Sequence, residues 1–96
     1  MPFVYILRCA DGSLYTGIAK DVARRLGEHA AGRASRYTRA RLPVTLAWCC
    51  RVRTWSRALK EEYRIKRLPR AAKLEIVGAT RRPATSGSRR ARRGPE

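Results

Sequence analysis

The stretch SLYTGIAKDVARRLGEH, residues 13–29, decides the fold because a strand pattern passes into a helix pattern within it. Aromatic and β-branched residues favour a strand over residues 13–18. Asp21 then offers a side chain that caps helix N-termini, which predicts a helix over about 22–31. A strand followed at once by a helix indicates a domain of mixed α and β structure.

A second strand precedes this stretch, and an Asp-Gly turn joins the two. FVYILR, residues 3–8, reads as a strand, and Asp-Gly between apolar runs is a hairpin signal. A three-residue loop over 10–12 puts Tyr5 and Tyr15 on the same face of the hairpin, whereas a two-residue loop puts them on opposite faces. We predict the three-residue loop because Gly12 can adopt the left-handed conformation that closes it.

The remaining pattern predicts a basic loop, a third strand and two more helices. GRASRYTRARLP, residues 32–43, is rich in arginine and ends in proline, which indicates a loop. VTLAWCCRV, residues 44–52, has the composition of a strand. Helices are predicted over about 55–67 and about 70–77, and Gly78 is expected to end the second. The element order is therefore β-β-α-β-α-α, an α+β pattern.

The apolar residues of these elements predict which side chains are buried. Trp48 and Trp55 are expected in the core and not as stacking platforms for bases. The core stripe of the first helix is expected to comprise Val22, Ala23, Leu26 and Ala30.

The three cysteines, Cys9, Cys49 and Cys50, fall in predicted strands and are expected to be buried thiols. They show no CxxC or Cys/His ligand spacing, so we expect no structural zinc site. The odd number of cysteines and the lack of a secretion signal predict the reducing cytoplasm as the location.

The composition indicates one basic domain that binds a polyanion. The 96 residues include 23 Lys and Arg against 7 Asp and Glu, a formal net charge of +16. Residues 80–96 have no aliphatic side chain larger than alanine, which predicts a disordered arginine-rich tail. Residues 1–79 form the predicted domain and keep most of the positive charge, so nucleic acid is the expected partner. No apolar run is long enough to span a membrane.

One carboxylate stands out on the predicted helix over 55–67. Glu62 lies about 30° from the middle of the apolar stripe, at 100° per residue. Burying a charge without a partner is costly, so this carboxylate needs an arginine or a metal ion. Glu61 lies farther than Glu62 from the middle of this stripe, and it is expected to pair with Arg57 or Lys60 at the surface.

Several motifs together resemble the GIY-YIG nuclease superfamily. They are VYI at 4–6, YTG at 15–17, RxxxH at 25–29 and ALKEE at 58–62. The chain is most similar to the small single-domain bacterial branch, in which LYTG, RYTRAR, EYRIKRL and AAKL recur in this order. The resemblance covers residues 3–78 and implies a three-stranded antiparallel sheet flanked by helices.

The resemblance also implies a metal-dependent endonuclease that hydrolyses DNA phosphodiester bonds with one Mg²⁺ or Mn²⁺ ion. It assigns Tyr5, Tyr15, Arg25 and His29 to catalysis, with Tyr5 as the preferred general base. Glu62 matches the metal-binding glutamate. DNA repair or processing is the expected setting, on DNA that is branched or damaged, with RNA also open.

Further residues are candidates for contact with the phosphate backbone, because they are basic or stand in the basic loop. They are Lys20, Arg36, Tyr37, Thr38, Arg39 and Lys66.

The alternative function is a non-catalytic nucleic-acid-binding module that keeps the GIY-YIG fold. The chain has no asparagine, and Ile18 stands where some family members carry a lysine, which favours this alternative. The joint presence of the tyrosines, the arginine, the histidine and the glutamate favours the enzyme.

Overall fold

The computed structural model describes residues 1–81, with side chains described up to residue 78. It confirms the predicted α+β class and element order, and adds one short helix. The elements are β1 (Phe3–Arg8), β2 (Leu14–Ala19), α1 (Val22–Ala30), α2 (Arg36–Arg39), β3 (Thr45–Arg51), α3 (Trp55–Lys66) and α4 (Arg70–Arg81). Among the described helices, none is long and apolar enough to cross a membrane.

The three strands form one antiparallel sheet in the order β2-β1-β3. The hairpin has the predicted three-residue loop, because the Cys9 N–H donates to the Ser13 carbonyl at 2.9 Å. Gly12 closes this loop in the left-handed conformation with φ +85°. Tyr5 therefore pairs with Gly17. The two signature tyrosines share a face, as predicted.

The sheet buries both of its faces. On one face, Val4 and Ile6 pack with Ala58 and Ile65 of α3 and with α4. On the other face, Tyr5 and Leu7 of β1 pack with Val44 and with α1. This alternation follows from the two-residue period of a strand, and it places the tyrosines on the α1 side.

Helix α1 buries a different set of side chains from the predicted stripe. Val22 and Leu26 pack against the sheet as expected, but Ala23 and Ala30 are exposed. The innermost residue of α1 is His29, which follows the other two at the spacing i, i+4, i+7. The helix contacts only one face of the sheet, so a narrow stripe is enough to cover it.

Some predicted core residues lie at the surface. Trp55 is 46% exposed, whereas Trp48 is partly buried and packs against the core. Cys49 and Cys50 are exposed, whereas Cys9 is buried. The reason is that β3 is an edge strand and that α3 covers the sheet mainly through its small and β-branched residues.

Two further boundaries differ from the predictions. The basic loop contains α2, whose N-terminus is capped by the Ser35 side chain. Helix α4 continues past Gly78 to Arg81, because a single glycine costs only about 1 kcal/mol within a helix. The helix thus enters the first two positions of the predicted tail, and the remainder of that tail lies outside the described residues.

Candidate active site

A chain of buried hydrogen bonds links the sheet, α1 and α2. The Tyr5 Oη lies 2.9 Å from His29 Nε2, and His29 Nδ1 lies 2.8 Å from Thr38 Oγ1. The Thr38 hydroxyl donates to the Ser35 carbonyl at 3.3 Å. Its oxygen must therefore accept from an N–H at Nδ1, which leaves Nε2 to accept from the Tyr5 hydroxyl.

The pKa values of this pair favour neutral forms of both groups. Burial and the neighbouring Tyr15 raise the pKa of Tyr5 to about 12, although Arg25 opposes the shift. Burial, and then Arg25, lower the pKa of His29 below its ordinary value. At neutral pH, Tyr5 is therefore a phenol, and His29 is a neutral imidazole whose Nε2 lone pair accepts from the Tyr5 hydroxyl.

Gly17 makes room for the Tyr5 ring. A Cβ at this position would lie 2.5 Å from Tyr5 Oη and 2.6 Å from its Cζ. The ring thus crosses directly over the backbone of β2 on its way to His29. The glycine of the YTG motif is required by this close approach.

Tyr15 forms the outer wall of the same cluster. Its ring packs edge-on against His29, with centroids 5.2 Å apart, and stacks on Tyr37 at 6.0 Å with an angle of 29° between the ring planes. The Arg41 guanidinium covers Tyr37 at 3.9 Å and donates to Asp11 at 3.1 Å. The column of rings orders the basic segment around α2 against the sheet.

Arg25 lies at the rim of the cluster in a shallow groove. Its Nη1 donates to Glu28 Oε1 at 2.9 Å, and its side chain is partly exposed. The groove is also lined by Lys20, Arg24 and Trp55. Because Arg25 shifts the pKa of both Tyr5 and His29, its positive charge acts on the buried pair while remaining accessible from outside.

Glu62 lies near Tyr5 and His29, but its ion-pair partner is not the arginine that the sequence suggested. It forms an ion pair with Lys66, Nζ to Oε2 at 3.2 Å, and not with Arg25. Its negative charge contributes to the raised pKa of Tyr5. The expected pairing of Glu61 with Arg57 or Lys60 is also corrected, since Glu61 accepts two hydrogen bonds from Arg64.

The candidate phosphate contacts divide into surface and interior residues. The side chain of Thr38 is fully buried against His29, so it is an internal residue and cannot touch a phosphate from this position. The others are exposed, namely Lys20, Arg36, Tyr37, Arg39 and Lys66.

The sequence interpretation did not identify Glu28, Arg41 or Trp55 as neighbours of the site. Glu28 stands three residues after Arg25, a spacing that could have predicted their pairing. Arg41 likewise stands four residues after Tyr37, a spacing that brings side chains together on a helix, but the sequence pattern predicted a loop there.

Glu62 fits a magnesium site that uses one protein ligand. Within the described residues, no three His, Cys, Asp or Glu side chains come together as a metal cluster. Mg²⁺ is commonly bound by one or two carboxylates, with waters and substrate phosphates completing its shell. The Lys66 ammonium already holds a cation position at this carboxylate, and its exposed side chain can move aside.

Comparison with known proteins gives a consistent family. The chain matches the model of the GIY-YIG catalytic domain over residues 1–75. A UPF0213 protein of Staphylococcus aureus strain Mu3 is 49% identical over 75 residues, 78% of this chain and 92% of that protein. The solution NMR structure of UPF0213 protein BH0048 from Bacillus halodurans aligns with a TM-score of 0.57 and 40% identity. It covers 86% of this chain and 89% of that chain.

The matched region contains β1, β2, α1, β3 and α3, and with them the tyrosines, the arginine, the histidine and the glutamate described above. The chain belongs to the GIY-YIG family, a family of nuclease domains that act on nucleic acids.

Proposed function

We propose that this protein is a metal-dependent DNA endonuclease that hydrolyses phosphodiester bonds during DNA repair or processing in the cytoplasm. The carrying observation is the buried pair of Tyr5 and His29, which is joined by a 2.9 Å hydrogen bond. Arg25 and Glu62 lie close enough to shift the pKa of Tyr5 in opposite directions. One phenol, one imidazole, one guanidinium and one carboxylate thus act on the same small region.

The buried pair can remove a proton from an attacking water. With a pKa of about 12, Tyr5 holds too little phenolate at neutral pH to serve as the resting base. Its oxygen instead accepts the proton of water as its own proton passes to Nε2 of His29. The Thr38 hydroxyl oxygen accepts from Nδ1 and keeps the imidazole in the tautomer that this transfer requires.

Arg25 and Glu62 can compensate the negative charge of the phosphate, the first directly and the second through a bound cation. The guanidinium of Arg25 can exchange Glu28 for the phosphate oxygens, where it opposes the negative charge of the transition state. Glu62 is the residue that would hold a divalent ion. Such an ion, when bound, stabilises the leaving oxygen as a Lewis acid.

Plasmid nicking with Mg²⁺ or Mn²⁺ tests the proposal. Wild type is expected to convert supercoiled DNA to the nicked form, and Arg25→Ala and Glu62→Gln are each expected to lose roughly a hundredfold or more in rate. Arg57→Ala, which removes an exposed arginine about 140° around α3 from Glu62, is the matched control and should retain the wild-type rate. Cleavage that survives in both site variants would contradict the proposal.

A non-catalytic nucleic-acid-binding module is the second candidate. It is favoured by the closed ion pairs Arg25–Glu28 and Glu62–Lys66, which occupy both charged groups within the protein. Under this alternative, wild type binds DNA in a salt-dependent manner. It cleaves no linear, branched or damaged substrate, and no RNA, with either metal.

Metal binding at Glu62 can be measured without turnover. Mn²⁺ is paramagnetic, so it should selectively broaden the amide signals of α3 around Glu62 in an NMR titration. We expect Glu62→Gln to abolish this broadening. Lys66→Ala is expected to shift it to severalfold lower Mn²⁺ concentrations, because it removes the competing ammonium. Equal broadening in wild type and Glu62→Gln would place the ion elsewhere.

A further inference from the structure

Helix α3 exposes a stripe of large apolar side chains beside the candidate active site. Trp55 is 46% exposed, Leu59 48% and Tyr63 62%. Their spacing of four residues aligns them on one face of the helix. We refer to these three residues as the α3 stripe. Contiguous exposed apolar surface on a small domain indicates a binding surface.

The α3 stripe is continuous with the catalytic groups. Trp55 lines the same groove as Arg25 and Lys20. Around the axis of α3, Glu62 lies about 20° from Trp55 and about 60° from Leu59, at 100° per residue. If a ligand places a phosphate between Arg25 and Glu62, the parts of the ligand next to that phosphate can therefore contact the stripe.

The surroundings of the stripe define the chemistry of its ligand. Along the groove and beside the stripe, cations outnumber carboxylates: they are Lys20, Arg24, Arg25, Lys66 and Arg67, against Asp21, Glu28 and Glu62. The hydroxyl of Tyr63 accepts a hydrogen bond from Arg67 Nη1 at 2.8 Å, which orients the ring. Flat apolar faces beside a row of cations suit a polymer that carries both aromatic faces and phosphates.

We propose that the α3 stripe stacks unpaired bases next to the phosphate held at Arg25 and Glu62, so that the substrate is single-stranded or locally unpaired nucleic acid. The inference rests on the proposed function, because that function supplies nucleic acid as the ligand. Trp55 and Tyr63 are eight residues apart, or about 12 Å along the helix. Successive bases of a duplex strand are about 3.4 Å apart and cover one another's faces, so only unpaired bases can reach both rings.

Binding measured in EDTA tests the inference without requiring cleavage. Fluorescence anisotropy compares a labelled 20-nucleotide single strand with the duplex of the same sequence, at one salt concentration. Trp55→Ala should weaken single-strand binding by between about fivefold and a hundredfold and change duplex binding by less than twofold. Trp55→Phe should restore most of the loss. Leu74→Ala, which truncates an exposed leucine on α4, is the control and should change neither.

Three results would overturn the inference: equal weakening on both DNA forms, no weakening on either, or a dimer of wild type that Trp55→Ala dissociates. The first would make Trp55 a general contact, and the last would make the stripe an interface between copies. The assay also separates the two proposals. Cleavage without strand preference contradicts only this inference, whereas strand preference without cleavage contradicts only the nuclease.

Discussion

Tyr5→Phe is expected to lower the DNA-cleavage rate by about a hundredfold to ten-thousandfold, the range found for a general acid–base group. The substitution removes only the hydroxyl that is hydrogen-bonded to His29 Nε2 and that we propose as the acceptor of the water proton. The ring remains and still fills the space above Gly17. Rates are to be measured on protein whose fold is verified by circular dichroism, because the unpaired Nε2 costs about 1–3 kcal/mol of stability.

The double variant Tyr5→Phe/His29→Gln distinguishes a relay from two independent groups. If the pair acts as one unit, the double variant should be no slower than the slower single variant. Multiplied losses would contradict the relay. Losses of less than threefold in both single variants would show that neither group takes the proton.

The pH dependence of the rate gives an independent readout of the same pair. The pKa of His29 is lowered by burial and Arg25, so the imidazole stays neutral until the pH falls below its ordinary value of 6.5. Once protonated, it cannot accept from Tyr5. The wild-type rate should therefore be constant at neutral pH and decline only on the acidic side of 6.5. His29→Gln should lack this acidic decline.

Gly17→Ala is expected to destabilise the fold by about 3 kcal/mol, at the upper end of the cost of overpacking. The added Cβ would meet Tyr5 Oη at 2.5 Å and Cζ at 2.6 Å. The ring cannot retreat without breaking its hydrogen bond to His29. Thermal unfolding should show a melting temperature lower by about 10 °C or more, and cleavage should be lost with it.

Gly27→Ala provides the matched control for this substitution. Gly27 lies in α1, and a Cβ there meets nothing within 4 Å. Alanine is favoured over glycine within a helix by about 1 kcal/mol, so this variant should be slightly more stable than wild type. A Gly17→Ala protein with wild-type stability and activity would show that the Tyr5 ring does not need to pass so close to the backbone at residue 17.

Local sequence signals predicted most of the elements and the register that matters for the site. The Asp-Gly turn predicted a hairpin, and Gly12 favoured the three-residue loop because it can close that loop in the left-handed conformation, which it adopts. The period of two then placed Tyr5 and Tyr15 on one face without further information. The cap at Asp21 likewise marked the beginning of α1.

The tertiary structure alone decided what each site residue contacts. Thr38 was predicted to face phosphate, but the turn into α2 buries it against His29. Trp55 was predicted in the core, but α3 packs through Ala58 and Ile65 and leaves the larger ring outside. Contacts between distant segments depend on how helices lie on the sheet, and the spacing of residues within one element carries no information about that placement.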